Sequence, residues 1–180
     1  MPDYPTLDYL PDLIYTEMAG SRYLPFAPIG TAGTDTLANI ERLLFSDGSL
    51  AFDIAGAAGQ AYRIYQAAFD RVPDKAGLGY WIYQMEQGMG VREVAARFID
   101  SPEFRSLYGT NPSTGSLVDA IYSNVLHRAP DQGGHDFYVN QIATGQKSLA
   151  QVLADFSESP ENQVQVIGVI EHVIDFLPFG

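Results

Sequence analysis

The sequence predicts a mainly α protein: two tandem four-helix repeats packed into one helical domain, preceded by an extended region and a β-hairpin. Apolar residues recur at three- and four-residue spacing after residue 59, and DRVPDKAGLGYW at 70–81 returns as HRAPDQGGHDFY at 127–138. The hairpin is predicted because Asp47-Gly48 lies between two apolar runs. The chain therefore divides into an arm at 1–33, a hairpin and linker at 34–58, and a helical domain at 59–180.

Each repeat is built around a corner, which we define as residues 70–74 in the first repeat and 127–131 in the second. Proline cannot continue a helix and aspartate often caps the next one, so Asp74 and Asp131 are expected to accept backbone N–H groups. Ser-Pro-Glu occurs at 101–103 and again at 159–161, which predicts another helix start in each repeat. The repeats are placed at 59–109 and 115–168, followed by a C-terminal tail helix.

The segment before the helices has the composition of extended and turn structure. Residues 34–54 are predicted to form the hairpin, with Leu50, Phe52 and Ile54 on its buried face. The arm is rich in proline, which punctuates helices. Its aromatic side chains supply large contact area at small entropic cost and are therefore candidates for binding a protein partner. These candidates are Tyr4, Tyr9, Tyr15, Tyr23 and Phe26.

Composition excludes several classes of protein. A formal net charge of -12 repels nucleic acid and anionic membrane surfaces, so a nucleic-acid partner is not expected. Cysteine is absent, which excludes disulfides and thiolate chemistry. The first twenty residues carry acidic groups where a classical export signal needs a basic start. The apolar stretch 164–179 is interrupted by charged residues, so no membrane span is expected.

Several side chains have both a functional and a structural interpretation. Asp74 and Asp131 are helix caps or, alternatively, calcium ligands; no other cofactor is expected. Arg71 and Arg128 bind the preceding helix end or the capping aspartate, or else clamp an anion.

Of the large aromatics in the repeats, Tyr80 and Tyr138 are the candidates for stacking on a sugar, although aromatics at helical spacing usually belong to a core. The chain lacks nucleotide-binding and serine-hydrolase motifs, so an enzyme is not expected. The remaining enzyme hypothesis needs two carboxylates, such as Asp131 and Glu161, to converge with raised pKa values.

The paired segments YQAAFDRVPDKAGLGYWIYQMEQG and IYSNVLHRAPDQGGHDFYVNQIATG, with ARFIDSPEFRSLYG and ADFSESPENQ, resemble the DUF4214 family, a helical domain of undefined function, over residues 59–177. The segment TDTLANIERLLFSDGSLAFDI resembles the end of the calcium-binding β-rolls of repeats-in-toxin (RTX) proteins, but the calcium-binding nonapeptides of those rolls are missing.

These resemblances imply a bacterial secreted or surface protein exported by a type I route, with the cytoplasm as the alternative location. The implied function is a non-enzymatic structural or assembly module that binds a protein partner or itself. The alternative is a carbohydrate-binding or calcium-dependent ligand-binding domain with a polysaccharide partner.

Overall fold

The structure is a computed structural model that describes residues 6–8, 13–18, 21–25, 34–36, 40–45, 47–170 and 173–179. Within these ranges it has eight helices and seven strands. The helices are α1 (Ala57–Phe69), α2 (Lys75–Glu86), α3 (Val91–Ile99), α4 (Pro102–Tyr108), α5 (Thr114–Leu126), α6 (Gln132–Ala143), α7 (Leu149–Ser157) and α8 (Pro160–Ile170). The strands are β1 (Thr6–Asp8), β2 (Leu13–Met18), β3 (Ser21–Pro25), β4 (Thr34–Thr36), β5 (Ile40–Phe45), β6 (Ser49–Ala51) and β7 (Ile174–Phe176).

The prediction of a mainly helical protein with a small β region is confirmed. We call α1–α4 the first unit and α5–α8 the second unit. The two units share one core, because α1 packs against α5 and α7, and α3 packs against α7. Side chains from both units meet there and are almost completely removed from water, which is the main source of stability for such a pair of units. They include Ile64, Phe98, Ile121, Val152 and Phe156.

The strands form an antiparallel five-stranded sheet in the order β3-β2-β5-β6-β7, and β1 pairs separately with β4. The hairpin is shorter than the predicted 34–54: β5 and β6 pair around Asp47-Gly48, and the Phe45 N–H donates to the Gly48 carbonyl at 2.9 Å. Thr34–Thr36 pairs with β1 instead. Strand β2 of the arm lies between β3 and β5 and pairs with both. The arm and the hairpin, which the sequence divides at residue 33, therefore belong to one sheet.

The predicted buried face of β6 is wrong. Ser49 and Ala51 are the fully buried residues of this strand, whereas Leu50 is half-buried. Ala51 packs in a second core with Ala58 and Ala61 of α1, where the close approach of helix and sheet favours small side chains. The strand ends at Ala51, so the alternation expected through Ile54 does not continue.

The predicted C-terminal tail helix is also wrong. Helix α8 ends at Ile170, and Ile174–Phe176 form strand β7 beside β6. Ile174 and Phe176 are buried and Asp175 is exposed, a period of two that suits a strand with one buried face. The Leu177 N–H donates to the Lys75 carbonyl at 3.0 Å, which fixes this segment against the start of α2.

Two buried arginines join the sheet and the linker to the helices. Arg42 of β5 binds Asp53 and, at 2.8 Å, Glu86 of α2. Burial alone would lower the pKa of Arg42, but hydrogen bonds and the charges of the two carboxylates hold it above its usual value. Arg63 of α1 makes two hydrogen bonds to Glu158, at 2.9 and 2.6 Å, and a third to the Ile54 carbonyl at 2.8 Å.

Candidate functional site

The two corners have the same backbone. Helices α1 and α5 both end at a non-glycine residue in the left-handed region, Asp70 with φ 49° and His127 with φ 50°. This conformation turns the chain sharply and lets the terminal N–H bond back to the helix, at Gln66 in α1 and Tyr122 in α5. Aspartate and histidine enter this region more readily than most other residues.

The cap interpretation of the two aspartates is confirmed. Asp74 Oδ1 accepts the Gly77 N–H at 2.7 Å, and Asp131 Oδ1 accepts the Gly134 N–H at 2.9 Å. The bond from Gly77 and then the bond from the Tyr65 hydroxyl lower the pKa of Asp74. Both aspartates therefore start helices α2 and α6, as the sequence predicts.

The corner arginines bind glutamates that the sequence analysis did not pair with them. Arg71 bonds both oxygens of Glu103 at 2.7 and 3.2 Å, and Arg128 bonds both oxygens of Glu161 at 2.7 and 3.0 Å. Each glutamate is the last residue of a Ser-Pro-Glu motif, so each pair joins the corner to the fourth helix of its own unit. The sequence does contain a pattern that indicates this pairing, because Arg-x-Pro-Asp is followed by Ser-Pro-Glu at nearly the same distance along the chain in both units.

The Arg128–Glu161 pair argues against Glu161 as one carboxylate of the acid–base dyad considered above. The hydrogen bond from Arg128 holds the pKa of Glu161 below its ordinary value. The remaining enzyme hypothesis requires the opposite shift.

Tyrosines at equivalent positions behave differently at the two corners. The Tyr65 hydroxyl donates to Asp74 Oδ2 at 2.8 Å and accepts from Arg71 at 3.0 Å. Tyr122 occupies the same position in the second unit, and its ring lies under the Arg128 guanidinium at 5.2 Å. No described residue hydrogen-bonds to its hydroxyl. The first corner is a closed polar network, and the second leaves a tyrosine hydroxyl without a partner among the residues that the structure describes.

A groove of about 450 Å³ lies between the two corners. Asp70 and His127 line it from opposite units, and Gln66 and Val166 form part of its wall. The side-chain oxygen of Gln66 is buried and has no hydrogen-bond donor among the described residues. The groove therefore combines apolar side chains with the polar groups of Asp70 and His127.

A smaller cavity of about 160 Å³ lies within the second unit, beside its corner. It is lined by Tyr122 and Leu126 of α5, Tyr138 of α6, and residues at the end of α7 and the start of α8. The Arg128–Glu161 pair forms one of its walls. The cavity therefore combines aromatic rings with charged groups that are already paired.

Both candidate sugar-stacking residues, Tyr80 and Tyr138, are half-buried and pack against other aromatic rings. Tyr138 is half-buried, and its ring packs against Phe156 at 4.8 Å between centroids. Its neighbour Phe137 is the exposed member of the pair, at 53%. Tyr80 is half-buried and contacts the rings of Trp81 and Phe179, both at 4.8 Å. Tyr138 therefore faces the cavity, and Tyr80 packs against the C-terminal segment.

The arm candidates divide into two groups. Tyr15 lies in β2 and Tyr23 lies in β3, within the five-stranded sheet. Tyr4, Tyr9 and Phe26 lie outside the described residues.

Two kinds of feature are absent from the described part of the chain, a cluster of metal-binding side chains and a membrane-spanning helix. Residues 40–45, 47–170 and 173–179 include no group of three or more histidine, aspartate or glutamate side chains that could hold a metal ion. Within the same part of the chain, no helix has the length and apolar character needed to cross a membrane.

Comparison with known proteins gives one match. No curated protein and no solved structure matches the chain. Residues 95–166, from the middle of α3 into α8, match the family described as "Domain of unknown function (DUF4214)". This segment contains the second corner and its cavity, so the family likeness applies to the part of the chain where the polar network is open.

Proposed function

We propose that this protein is a non-enzymatic assembly module that associates with a second copy of itself through helix α8. The supporting observation is that α8 has aliphatic residues around most of its circumference but is covered on one side only. Val166 and Ile170 are buried, while Val164, Ile167 and Val169 are 74%, 48% and 67% exposed. A helix that is apolar all round is normally covered all round.

The equivalent helix of the first unit lacks this surface. Helix α4 has 7 residues and α8 has 11. Ser106 and Gly109 stand where α8 has Val164 and Ile167. Helix α4 does expose Leu107, but the cluster of exposed valine and isoleucine is specific to the second unit, and the shared packing of the fold does not require it.

An exposed glycine supports pairing between helices. Gly168 lies on the same side of α8 as Val164 and Ile167, and a side chain added there would meet no atom within 4 Å. Glycine inside an exposed helix costs about 1 kcal/mol relative to alanine. Close approach of another backbone would offset that cost, because the missing side chain lets two helices come together.

The local charge of α8 favours a second copy of this chain as the partner. Its only charged residue is Glu161, which is paired with Arg128. Two such helices can therefore pack in a self-complementary contact without placing like charges opposite each other. The rest of the chain, with its net charge of -12, adds only a longer-range repulsion that salt screens.

Sedimentation velocity over a range of protein concentrations tests this proposal. The wild type should form dimers as concentration rises, and Val164→Asp and Ile167→Asp should remain monomeric. Leu107→Asp is the matched control, because Leu107 is 55% exposed on α4 in the first unit. A monomeric wild type, or equal loss of association in the control, would overturn the proposal.

A substitution of Gly168 separates helix stability from association. Gly168→Gln should raise the stability of the monomer by up to about 1 kcal/mol, because glutamine is the better helix former. The same change should weaken the dimer, because the longer side chain separates the two helices. If association is unchanged or stronger in this variant, α8 does not pair through this side.

We infer in addition that both units are copies of the same DUF4214-like repeat, so that the family likeness extends to residues 59–177. The matching left-handed residues, caps and arginine–glutamate pairs support this inference. Exchanging corners tests it. The double variant His127→Asp with Ala129→Val installs the first corner's DRVPD sequence in the second unit, and should fold with nearly unchanged stability. Loss of the fold would oppose the inference.

We also propose that the chain belongs to a bacterial protein exported by a type I route to the cell surface or medium. The resemblance of the sequence of residues 34–54 to the end of an RTX β-roll and the absence of cysteine support this location. Antibody detection in the medium and cell fractions of the source bacterium tests it. The protein should leave the cell fraction only when the type I transporter is intact; retention in the cytoplasm of the wild-type strain would contradict the proposal.

A further inference from the structure

Two of the side chains that line the cavity of the second unit are smaller than their equivalents in the first unit. Leu126 and Tyr138 line it, and the first unit has Phe69 and Trp81 at the same two positions. In the first unit, Phe69 and Trp81 both pack against Phe98, at 4.8 and 4.9 Å between ring centroids. The apolar wall of the second-unit cavity consists of Leu126 and the rings of Tyr122, Tyr138 and Phe156.

The polar groups of this cavity include two tyrosine hydroxyls that no described residue hydrogen-bonds. The Tyr122 side chain is only 5% exposed, lines the cavity and has no hydrogen bond to any described residue. The Tyr138 hydroxyl also lacks a partner in the described part of the chain. A phenolic hydroxyl can both donate and accept, so each can bond to a hydroxyl group of a ligand.

The charged groups around the cavity are paired, which keeps the site nearly neutral. Glu161 is bound by Arg128, and Asp155 is bound by Lys147 through one carboxylate oxygen. Carboxylate oxygens retain further lone pairs after such a bond, so they can accept from a neutral donor as well. Hydrogen bonds to ionised groups are stronger than those between neutral groups.

From these features we propose that the cavity of the second unit binds one neutral sugar ring in its pyranose form. Hydroxyls of the ring would bond to Tyr122, Glu161 and Asp155, and an apolar face of the ring would lie against Tyr138 and Leu126. The volume of about 160 Å³ is well below the roughly 300–1,000 Å³ of pockets for drug-sized ligands. The cavity therefore suits one ring, at the end of a chain or as a free monosaccharide. This site is independent of the association through α8.

Backbone NMR titration of the full chain tests the proposal. The probes are D-glucose, D-galactose, D-mannose, L-rhamnose and N-acetyl-D-glucosamine, with glycerol as an acyclic control. At least one sugar should cause saturable shifts of amides at 126–128 and 155–161, with no matching shifts at 69–71 and 97–103. Absence of saturable shifts with all five sugars, equal shifts at both corners, or the same shifts with glycerol would overturn the proposal.

Two substitutions in the cavity test the assignment, and a third, in the first unit, is the matched control. Tyr138→Trp installs the side chain of the first unit and should abolish the sugar-induced shifts while the spectrum of the folded protein is retained. Tyr122→Phe removes only a hydroxyl and should weaken binding by about tenfold, the effect of losing one hydrogen bond. Tyr65→Phe, at the equivalent position of the first unit, should leave sugar binding unchanged. Binding that persists in Tyr138→Trp would place the ligand elsewhere and contradict the assignment.

Discussion

The two corners are alike in backbone and different in what their side chains leave free. Both have a left-handed residue, an aspartate cap and an arginine that binds a glutamate at the start of the fourth helix. At the first corner, Tyr65 joins Asp74 and Arg71 in a closed network. At the second, the Tyr122 hydroxyl makes no hydrogen bond to the described residues, and a cavity lies beside it.

This difference shows that the motif residues set the shape of the joint, whereas their neighbours decide what the joint can bind. The same contrast holds for the fourth helices. Helix α4 ends after 7 residues, and α8 continues for 11 with exposed valine and isoleucine. In this account the first unit is mainly structural, and the second unit carries the surfaces available to partners and ligands.

We expect the largest loss of stability when the buried Arg63–Glu158 ion pair, which joins the two units, is broken. Glu158→Ala leaves Arg63 buried without its carboxylate and should lower the free energy of unfolding by about 3 kcal/mol. Asp100→Ala is the matched control, because Asp100 holds the equivalent position in the first unit and is exposed. Urea denaturation followed by circular dichroism measures both. Equal losses in the two variants would show that the Arg63–Glu158 pair does not join the units.

The two caps should differ in strength because only one of them also binds a tyrosine. Asp131→Ala should cost about 1 kcal/mol, the usual value of a helix cap. Asp74→Ala should cost about 2 kcal/mol, because the Tyr65 hydroxyl loses its acceptor as well. Urea denaturation of both variants checks this order. A larger loss for Asp131→Ala would contradict the distinction between a closed and an open corner.

Removing the hydroxyl of Tyr65 or of Tyr122 compares the two corners with a smaller change than removing a cap. Tyr65→Phe should lower the free energy of unfolding by about 1 kcal/mol, because it removes two hydrogen bonds and leaves the rest of the ring in place. Tyr122→Phe should change stability very little, since its hydroxyl bonds to no described residue. Thermal unfolding of the two variants side by side distinguishes these cases, and equal destabilisation would be inconsistent with an open second corner.

The smallest effect is the pH dependence of the first cap. The Gly77 N–H and the Tyr65 hydroxyl lower the pKa of Asp74, so its charge stabilises the fold above the unfolded pKa of about 3.9. That contribution is lost as the pH falls through the lower pKa of the folded state. The stability difference between wild type and Asp74→Asn should be constant near neutral pH and decrease below about pH 4. A difference that grows on acidification would contradict the sign of the shift.

Local features of this fold could be predicted from the sequence. The helices, the Asp74 and Asp131 caps and the turn at Asp47-Gly48 all depend on residues close together in the chain. The cap at Ser101 was predicted for the same reason, and its hydroxyl accepts the Phe104 N–H at 3.1 Å. Short-range chemistry decides such features largely independently of the rest of the protein.

The missed features depend on partners distant in sequence. Ile174 and Phe176 lie in the segment predicted as a C-terminal tail helix, but they pair with the edge of β6, which is more than 120 positions earlier in the chain. The Arg71–Glu103 pair spans 32 positions and was missed although both motifs were identified. The difference between Tyr65 and Tyr122 could not be predicted from the sequence, because each tyrosine has an arginine six positions later and an aspartate nine positions later.

The most direct test of this account is the salt dependence of association of the wild-type chain, measured by sedimentation equilibrium. Each copy carries a net charge of -12, so repulsion opposes dimer formation at low ionic strength. Sodium chloride shortens the screening length from about 10 Å at 0.1 M to about 3 Å at 1 M, which leaves the apolar contact of α8 nearly unopposed. We predict dimers that become tighter as salt is added. A monomer at every concentration and salt level, or a dimer that dissociates in salt, would contradict association through α8.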